Sequence, residues 1–237
     1  MRYESFRDWL LAESPDVVLC QEACSFRNGV CGPLLVIEGY APIMDSEGHQ
    51  TPNTSRLGSF AKANISCGFV KQYCPRWQEF QANDLTVHNV YFPSDSSKDA
   101  PKREKFLQEL KIRIAESGGR VILAGDFNLA PTPLDCKNPS SNYVRPATLR
   151  AVKSLQNEAE LFEATKPSEG ERPVYTYEHF DFRCDLAFAS RALEKSIEAR
   201  YEHRTRRCRR EGAKVPRNPS IKTPFTNHSG IVLSIAI

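Results

Sequence analysis

The chain has little that would place it in a membrane or around a structural zinc ion. No apolar run approaches the roughly 20 residues that a bilayer-crossing helix needs, so the sequence predicts no membrane partner. Its eight cysteines lack the paired CxxC spacing of a zinc site, and those in apolar runs, Cys20 and Cys184, are typical of small core residues. Met1 leads into a charged amphipathic segment rather than a signal peptide. These absences favour a cytoplasmic protein in a reducing compartment.

The 237 residues carry a net charge of only +3, which neither requires nor excludes a polyanionic partner. The charge is concentrated between 203 and 222, where six arginines and two lysines accompany one acid. Such a cluster can contact phosphates without reading sequence, but the glycine and prolines within it are equally typical of a solvated loop. The candidate nucleic-acid-binding residues are Arg204, Arg206, Arg207, Arg209 and Arg210.

The hydrophobic pattern predicts helices and strands in an order typical of a mixed-sheet α/β protein. We expect one domain over residues 1–237, because that length is enough for one large core. The predicted helices lie at 2–13, at 102–116 and within 145–162. The predicted strands lie at 17–20, 69–73, 77–81, 85–92, 121–124, 185–189 and 231–237, with a further strand beginning at 175. Residues 25–56 are rich in Gly, Pro, Ser and Asn and are predicted to be mostly loop.

The most informative stretch is 120–128, a buried strand followed by Gly-Asp-Phe-Asn. In an extended backbone Asp126 and Asn128 would point the same way. A carboxylate and an amide held together can take a proton and position a water, which is what phosphodiester hydrolysis needs. The alternative is that these residues form an ordinary turn.

Other polar residues fall at or near strand ends. Glu22 is a solvated strand terminus or a metal ligand, and Tyr91 is a half-buried aromatic or a site residue. His88, on the other face of that strand, is expected to face solvent. Asp185 interrupts an otherwise apolar strand and therefore needs a partner. A histidine is a natural partner, and His228 precedes the last strand.

Five segments in this order resemble motifs of the endonuclease/exonuclease/phosphatase superfamily, which has the DNase I-like fold. The segments are PDVVLCQE (15–22), VHNVYFP (87–93), VILAGDFNLAPTPLD (121–135), YTYEHFDFRCDLAFAS (175–190) and TNHSGIVL (226–233). The form of the third segment is nearest the exonuclease III/AP-endonuclease branch. The resemblance implies a four-layer α/β sandwich of two packed mixed β-sheets flanked by helices.

The resemblance also implies a role for each matching residue. Glu22 and Asn227 would ligate a divalent metal, Mg²⁺ or alternatively Mn²⁺. Asp126 would activate the attacking water, with Asn128 holding that water or the phosphate. The other implied roles are transition-state stabilisation by His228, orientation of its ring by Asp185, contact with phosphate or the leaving oxygen by Tyr91, and positioning of a loop by Asp135.

Two departures from the family pattern bear on activity. The usual first strand, which carries a metal-site Asn, is expected to be missing, and Asn227 stands where the family has Asp. The primary hypothesis is a monomeric, Mg²⁺-dependent DNA phosphodiesterase acting in DNA repair. The alternatives are the same chemistry on RNA, a small phosphoester or a lipid headgroup, and a catalytically weakened nucleic-acid-binding relic.

Overall fold

The structure is a computed structural model. It describes residues 3–21, 26–27, 30–31, 36–48, 57–93, 100–138, 146–168, 170–171, 175–177, 181–202 and 228–236. The predicted metal ligands Glu22 and Asn227 lie outside these residues, as do the five candidate nucleic-acid-binding arginines. None of the described helices combines the length and the apolar character that a bilayer crossing requires.

Three helices and thirteen strands make up the regular structure of the described residues. The helices are α1 (Tyr3–Glu13), α2 (Ala100–Ser117) and α3 (Pro146–Glu158). The strands are β1 (Val17–Gln21), β2 (Phe26–Arg27), β3 (Val30–Cys31), β4 (Tyr40–Pro42), β5 (Leu57–Lys62), β6 (Lys71–Cys74), β7 (Trp77–Ala82), β8 (Leu85–Tyr91), β9 (Arg120–Asp126), β10 (Leu161–Glu163), β11 (Asp185–Ser190), β12 (Ile197–Glu202) and β13 (Gly230–Ile235).

A six-stranded mixed sheet is the centre of the fold, in the order β10-β11-β9-β8-β7-β6. Only β8 and β9 pair in parallel, and α2 lies between them in the chain, as a parallel crossover requires. Strand β9 is apolar on both faces because both faces are covered. Leu123 contributes to a cluster on one face with Leu110 of α2 and Leu155 of α3, so these two helices cover that face.

The opposite face of the central sheet packs on a second layer of strands. This layer consists of two antiparallel sheets, β1-β5-β4 and β12-β13. Ile122 and Ala124 of β9 point into the inner core, where Leu19 of β1 and Leu233 of β13 pack against the same cluster. Helix α1 forms the outermost layer through Leu10 and its neighbours, so the predicted four-layer sandwich is confirmed.

Three local predictions differ from the structure. Residues 175–177 form no strand, because Tyr177 makes only isolated bridges to Phe182 and His228. His88 does not face solvent but is completely buried under α2, where its ring accepts a hydrogen bond from Trp77. Strands β5, β10 and β12 have no counterpart among the predicted strands, although β5 is the partner of β1.

Candidate active site

Three adjacent strands of the central sheet bring polar side chains to one end of the sheet. Asp126 at the end of β9 is directly opposite Asp185 at the start of β11, and its other neighbour in register is Tyr91 of β8. A Cβ on Gly125 would lie 1.9 Å from the carbonyl oxygen of Val90 on β8, so no side chain fits at this point of β9. Gly125 also has a φ of +150°, which a side chain would strain. The glycine therefore lets the two strand ends approach.

His228 completes the cluster from the chain that leads into β13. Its Nδ1 lies 3.0 and 3.1 Å from the two carboxylate oxygens of Asp185, so the predicted Asp–His pair is present. Tyr177 stacks on the imidazole with ring centroids 4.5 Å apart. The carboxylate and the aromatic ring together fix the plane of the imidazole, while its side chain remains 28% exposed.

Thr176 holds together the two chain segments that carry this pair. Its hydroxyl oxygen accepts hydrogen bonds from the backbone N–H groups of Cys184, at 3.0 Å, and of Asp185, at 3.1 Å. Its carbonyl oxygen accepts a hydrogen bond from the N–H of Ser229, the residue after His228. Thr176 is completely buried, so these bonds are not exchanged with water.

The carboxylate of Asp126 lies in an apolar and negatively charged setting. Burial, and after it the neighbouring Asp185 carboxylate, raise its pKa to about 7 against the opposing effects of His228 and the N–H of Asn128. A pKa near neutrality is what a group that exchanges a proton at physiological pH requires. Asp126 can therefore both accept and release a proton at the end of β9.

Asn128 is placed differently from the expectation of an extended backbone. Its φ is +49°, so the chain turns after Asp126 instead of continuing as a strand. Its N–H donates to Oδ1 of Asp126 at 2.8 Å, and its side-chain amide donates to the carbonyl of Phe92 at 2.9 Å. The turn interpretation of Gly-Asp-Phe-Asn is therefore correct, and the same turn supplies a hydrogen bond to the Asp126 carboxylate.

Tyr91 is half-buried beside Asp126 and is flanked by a cation. The guanidinium carbon of Arg76 lies 4.6 Å from the centre of the Tyr91 ring, a cation–π distance. Nη1 of Arg76 also donates to the carbonyl of Phe92 at 3.2 Å. Arg76 thus brings a positive charge to the Tyr91 side of the cluster.

A cavity of about 880 Å³ opens onto this cluster from the space between the strand layers. Tyr91, Asp126, Asp185 and His228 line it at one end, together with Gln21. The cavity therefore reaches the Asp126 and Asp185 carboxylates.

The described side chains fit a divalent metal ion. Two carboxylates lie side by side, and burial of Asp126 leaves its charge poorly solvated, which a cation would relieve. Gln21, next to the predicted ligand Glu22, lines the same cavity as His228, which follows the predicted ligand Asn227. The residues adjacent to both predicted ligands therefore line one cavity.

The structure brings four of the five predicted catalytic residues to one place. Tyr91, Asp126, Asp185 and His228 share the cavity, whereas the side chain of Asn128 is turned onto Phe92. The sequence did not indicate the involvement of Thr176 or Cys184. The thiol of Cys184 lies 3.6 Å from Oδ2 of Asp185 and 3.9 Å from Nδ1 of His228, although the sequence was typical of a plain core cysteine.

Comparisons with known proteins agree with the fold. Three solved structures share the fold: the 3′-5′ exonuclease NExo from Neisseria meningitidis (17% identity, TM-score 0.74), a variant of the 3′ phosphatase NExo from Neisseria bound to product DNA hairpin (16%, 0.71), and an AP endonuclease from Archaeoglobus fulgidus (18%, 0.67). The matches cover 98%, 98% and 100% of this chain and 93%, 93% and 95% of the respective structures.

No curated protein matches the chain significantly. The model of the Endonuclease/Exonuclease/phosphatase family matches residues 2–205, which is most of the sequence. The chain therefore belongs to the Endonuclease/Exonuclease/phosphatase family.

Proposed function

We propose that the chain is a divalent-metal-dependent phosphodiesterase that hydrolyses DNA. The observation that carries the proposal is that Asp126, Asp185 and His228 lie together at one end of the central sheet and line one cavity. These groups combine a proton acceptor with a hydrogen-bond donor to phosphate, which is the minimum for attack of water on a phosphoester.

Asp126 is the group that we assign to the attacking water. Its carboxylate is held by the N–H of Asn128 at 2.8 Å and faces the cavity. Asn128 thus acts on the carboxylate through its backbone, and its side chain fixes the turn. A water bound to Asp126 would lose its proton to the carboxylate as it attacks phosphorus in line with the leaving oxygen.

His228 is the group that we assign to the phosphate. The carboxylate of Asp185 favours the protonated ring, and in that form Nδ1 donates to Asp185 while Nε2 donates to a phosphate oxygen as negative charge develops. We assign Tyr91 to the leaving oxygen or to a second phosphate oxygen, with Arg76 adding positive charge behind its ring.

We assign the metal site to Glu22 and Asn227 beside this cluster, with Mg²⁺ or Mn²⁺ as the ion. A bound divalent cation would neutralise phosphate charge and polarise the phosphorus–oxygen bond. Oxygen donors suit these hard cations, and an asparagine oxygen is a weaker ligand than a carboxylate. We therefore expect activity to need a higher metal concentration than a site with two carboxylates would.

DNA is the substrate that two observations favour over other phosphoesters. The Neisseria phosphatase structure holds a product DNA hairpin, and the A. fulgidus relative is named an AP endonuclease. The arginines Arg204, Arg206, Arg207, Arg209 and Arg210 would add contacts to the phosphate backbone. We assign them to binding rather than to chemistry, and expect a monomer in a reducing, cytoplasmic compartment.

The proposal is tested by hydrolysis of duplex DNA that carries a nick or an abasic site, with Mg²⁺, with Mn²⁺ and with EDTA. Asp126→Asn should lower kcat about 10²- to 10⁴-fold, because the water loses its proton acceptor. His228→Asn should lower kcat about 10²- to 10³-fold, because a hydrogen bond to the transition state is lost.

Asp181→Asn is the matched control, since Asp181 forms a surface ion pair with Lys137 outside the cluster. It should keep the activity of the unchanged protein. Full activity in Asp126→Asn would overturn the assignment, whereas turnover of RNA or a small phosphodiester without turnover of DNA would favour the alternative substrates. Salt-sensitive DNA binding without any turnover would identify a catalytically weakened relic.

A further inference from the structure

The thiol of Cys184 lies in the floor of the catalytic cluster, and the proposed hydrolysis does not use it. Its Sγ is 3.6 Å from Oδ2 of Asp185 and 3.9 Å from Nδ1 of His228. One donor atom from each of Asp126, Cys184, Asp185 and His228 lies within 4.8 Å of all the others. The fold therefore brings a sulfur, a nitrogen and two oxygens around one point.

This donor set suits a different cation from the one that hydrolysis would use. Hard cations such as Mg²⁺ prefer oxygen ligands, whereas a thiolate and an imidazole are typical ligands of zinc. In a tetrahedral zinc site with ordinary bond lengths, neighbouring donor atoms are about 3.3 to 3.7 Å apart. The separations here, 3.0 Å from nitrogen to oxygen, 3.6 Å from sulfur to oxygen and 3.9 Å from sulfur to nitrogen, lie around that range.

We propose that Asp126, Cys184, Asp185 and His228 form a tetrahedral site for a thiophilic divalent cation of the zinc type, and that occupation of this site inhibits hydrolysis. The inhibitory part rests on the proposed function, because it requires that the same cluster performs the chemistry. A cation held there takes the Asp126 carboxylate away from water and the His228 ring away from Asp185.

Binding exchanges protons for metal bonds without any redox step. Burial, together with the Asp185 and Asp126 carboxylates, raises the pKa of the Cys184 thiol well above its usual value. The thiol therefore stays protonated until a cation displaces the proton, which passes to solvent as the sulfur–metal bond forms. His228 binds through Nδ1 and keeps its proton on Nε2, so the proton that Nδ1 shares with Asp185 also passes to solvent. The proton on the protonated fraction of Asp126 leaves in the same way.

The cavity lets a cation reach the site, and the buried sulfur ligand makes the site prefer a thiophilic cation to Mg²⁺. The cavity reaches Asp126, Asp185 and His228, and the thiol lies behind them, with its residue 1% exposed. A cation thus meets two carboxylates and an imidazole first and the sulfur last. Only a cation that gains from the sulfur bond is retained in preference to Mg²⁺.

The test is a Co²⁺ titration of the full chain, read by absorption and not by activity. Cobalt substitutes for zinc, and a thiolate ligand produces a charge-transfer band in the near ultraviolet. We expect the band to saturate at one equivalent in the unchanged protein, to be lost in Cys184→Ser, and to remain in Cys67→Ser, whose cysteine lies outside the cluster. Absence of the band, or its persistence in Cys184→Ser, would overturn the site.

A second measurement needs no variant and therefore does not depend on how Cys184→Ser folds. X-ray absorption at the zinc edge should give one sulfur neighbour at about 2.3 Å and three nitrogen or oxygen neighbours at about 2.0 to 2.2 Å. A zinc ion with nitrogen and oxygen neighbours alone would contradict the proposal.

Inhibition is measured separately, as the zinc concentration that halves Mg²⁺-supported hydrolysis. Cys184→Ser should raise this concentration at least about tenfold, because one ligand is lost. Equal inhibition of both proteins would overturn the inhibitory role. If the cobalt band appears but no hydrolysis is found with any substrate, the proposed function fails and the metal site stands.

Discussion

Thr176 shows how a single buried hydroxyl organises the proposed catalytic cluster of Asp126, Asp185 and His228. It accepts hydrogen bonds from two consecutive N–H groups at the start of β11, and its carbonyl binds the chain beside His228. Asp185 and His228 are 43 residues apart in the chain, so their pairing depends on such a link. The hydroxyl itself is too far into the interior to touch substrate, and we interpret Thr176 as a positioning residue.

We expect Thr176→Val to lose stability and turnover together. Valine has the same shape but leaves two buried N–H groups without an acceptor, at a cost of about 1 to 3 kcal/mol in the free energy of unfolding. Displacement of Asp185 should also lower kcat at least about tenfold, while Thr176→Ser should restore both. Urea unfolding and steady-state DNA cleavage measure the two effects.

Thr165→Val is the control, because Thr165 is also buried and its hydroxyl accepts the N–H of Ala187 further along β11. Thr165→Val should also lower the free energy of unfolding, because one buried N–H group loses its acceptor, but it should keep the kcat of the unchanged protein. If the two valine variants lose kcat equally, Thr176 is an ordinary structural residue and does not position the cluster.

At the scale of the secondary-structure elements, the buried side chain of Arg183 links several of them in the interior. Its Nε donates to Asp135 of the loop after β9 at 2.7 Å, and its Nη1 forms an ion pair with Glu163 of β10. The same Nη1 lies 3.2 Å from the hydroxyl of Tyr201 on β12, which donates to the carbonyl of Asp185. Asp135 therefore holds a loop, as the resemblance implied, and does so through a buried arginine.

Removal of this arginine should be strongly destabilising. Arg183→Met leaves the Asp135 and Glu163 carboxylates buried without their cation, and loss of one partner in a buried pair costs about 3 to 5 kcal/mol. Arg191→Met removes the exposed Glu194 pair and should cost less than about 1 kcal/mol. A difference of less than about 1 kcal/mol between the two variants in urea unfolding would contradict this reasoning.

The elements that the sequence predicted well are those with an unambiguous hydrophobic pattern. Strand β9 and helix α2 have such a pattern because they are covered by packing on the faces that it marks. Strand β5 was missed because its glycine, serine and lysine weaken the pattern, while its pairing with β1 is set by the fold. The sequence predicts a strand beginning at 175 because the residues there favour strands. In the structure Tyr177 forms only isolated β-bridges, one of them to His228.

At the scale of the whole molecule, the order of the motifs along the chain predicted more of the fold and of the site than any single motif did. The four-layer fold and the meeting of Asp126, Asp185 and His228 followed from that order. The metal ligand positions 22 and 227 and the extent of the domain over 1–237 stay predictions. The place of Cys184 could not be predicted, because its contacts with Asp185 and His228 arise from tertiary packing.

The buried residue His88 makes the stability of the whole fold depend on pH. It is completely buried on β8, and its Nδ1 accepts a hydrogen bond from Nε1 of Trp77 at 3.2 Å. Because the indole can only donate, the ring must be neutral to accept this bond. Burial, together with a smaller effect of Arg113, lowers the pKa of His88 from 6.5 to about 4, although the nearby Glu79 carboxylate opposes the shift.

The sign of the pH effect follows from the two states of the protein. Between about pH 6.5 and about pH 4 the unfolded chain takes a proton on His88 and the folded chain does not. Stability is therefore lost as the pH falls through this window, by up to about 1.4 kcal/mol per pH unit from this one group. In His88→Gln, which keeps an acceptor for Trp77 but does not titrate, that contribution disappears.

We expect the free energy of unfolding of the unchanged protein to fall more steeply than that of His88→Gln between pH 6.5 and pH 4. Between pH 7 and pH 8 the two curves should run parallel, because the histidine is neutral in both states, and this range is the internal control. Urea unfolding at each pH gives the curves. If they remain parallel down to pH 4, His88 takes a proton in the folded state as readily as in the unfolded one. Acid sensitivity would then have to come from the paired carboxylates alone.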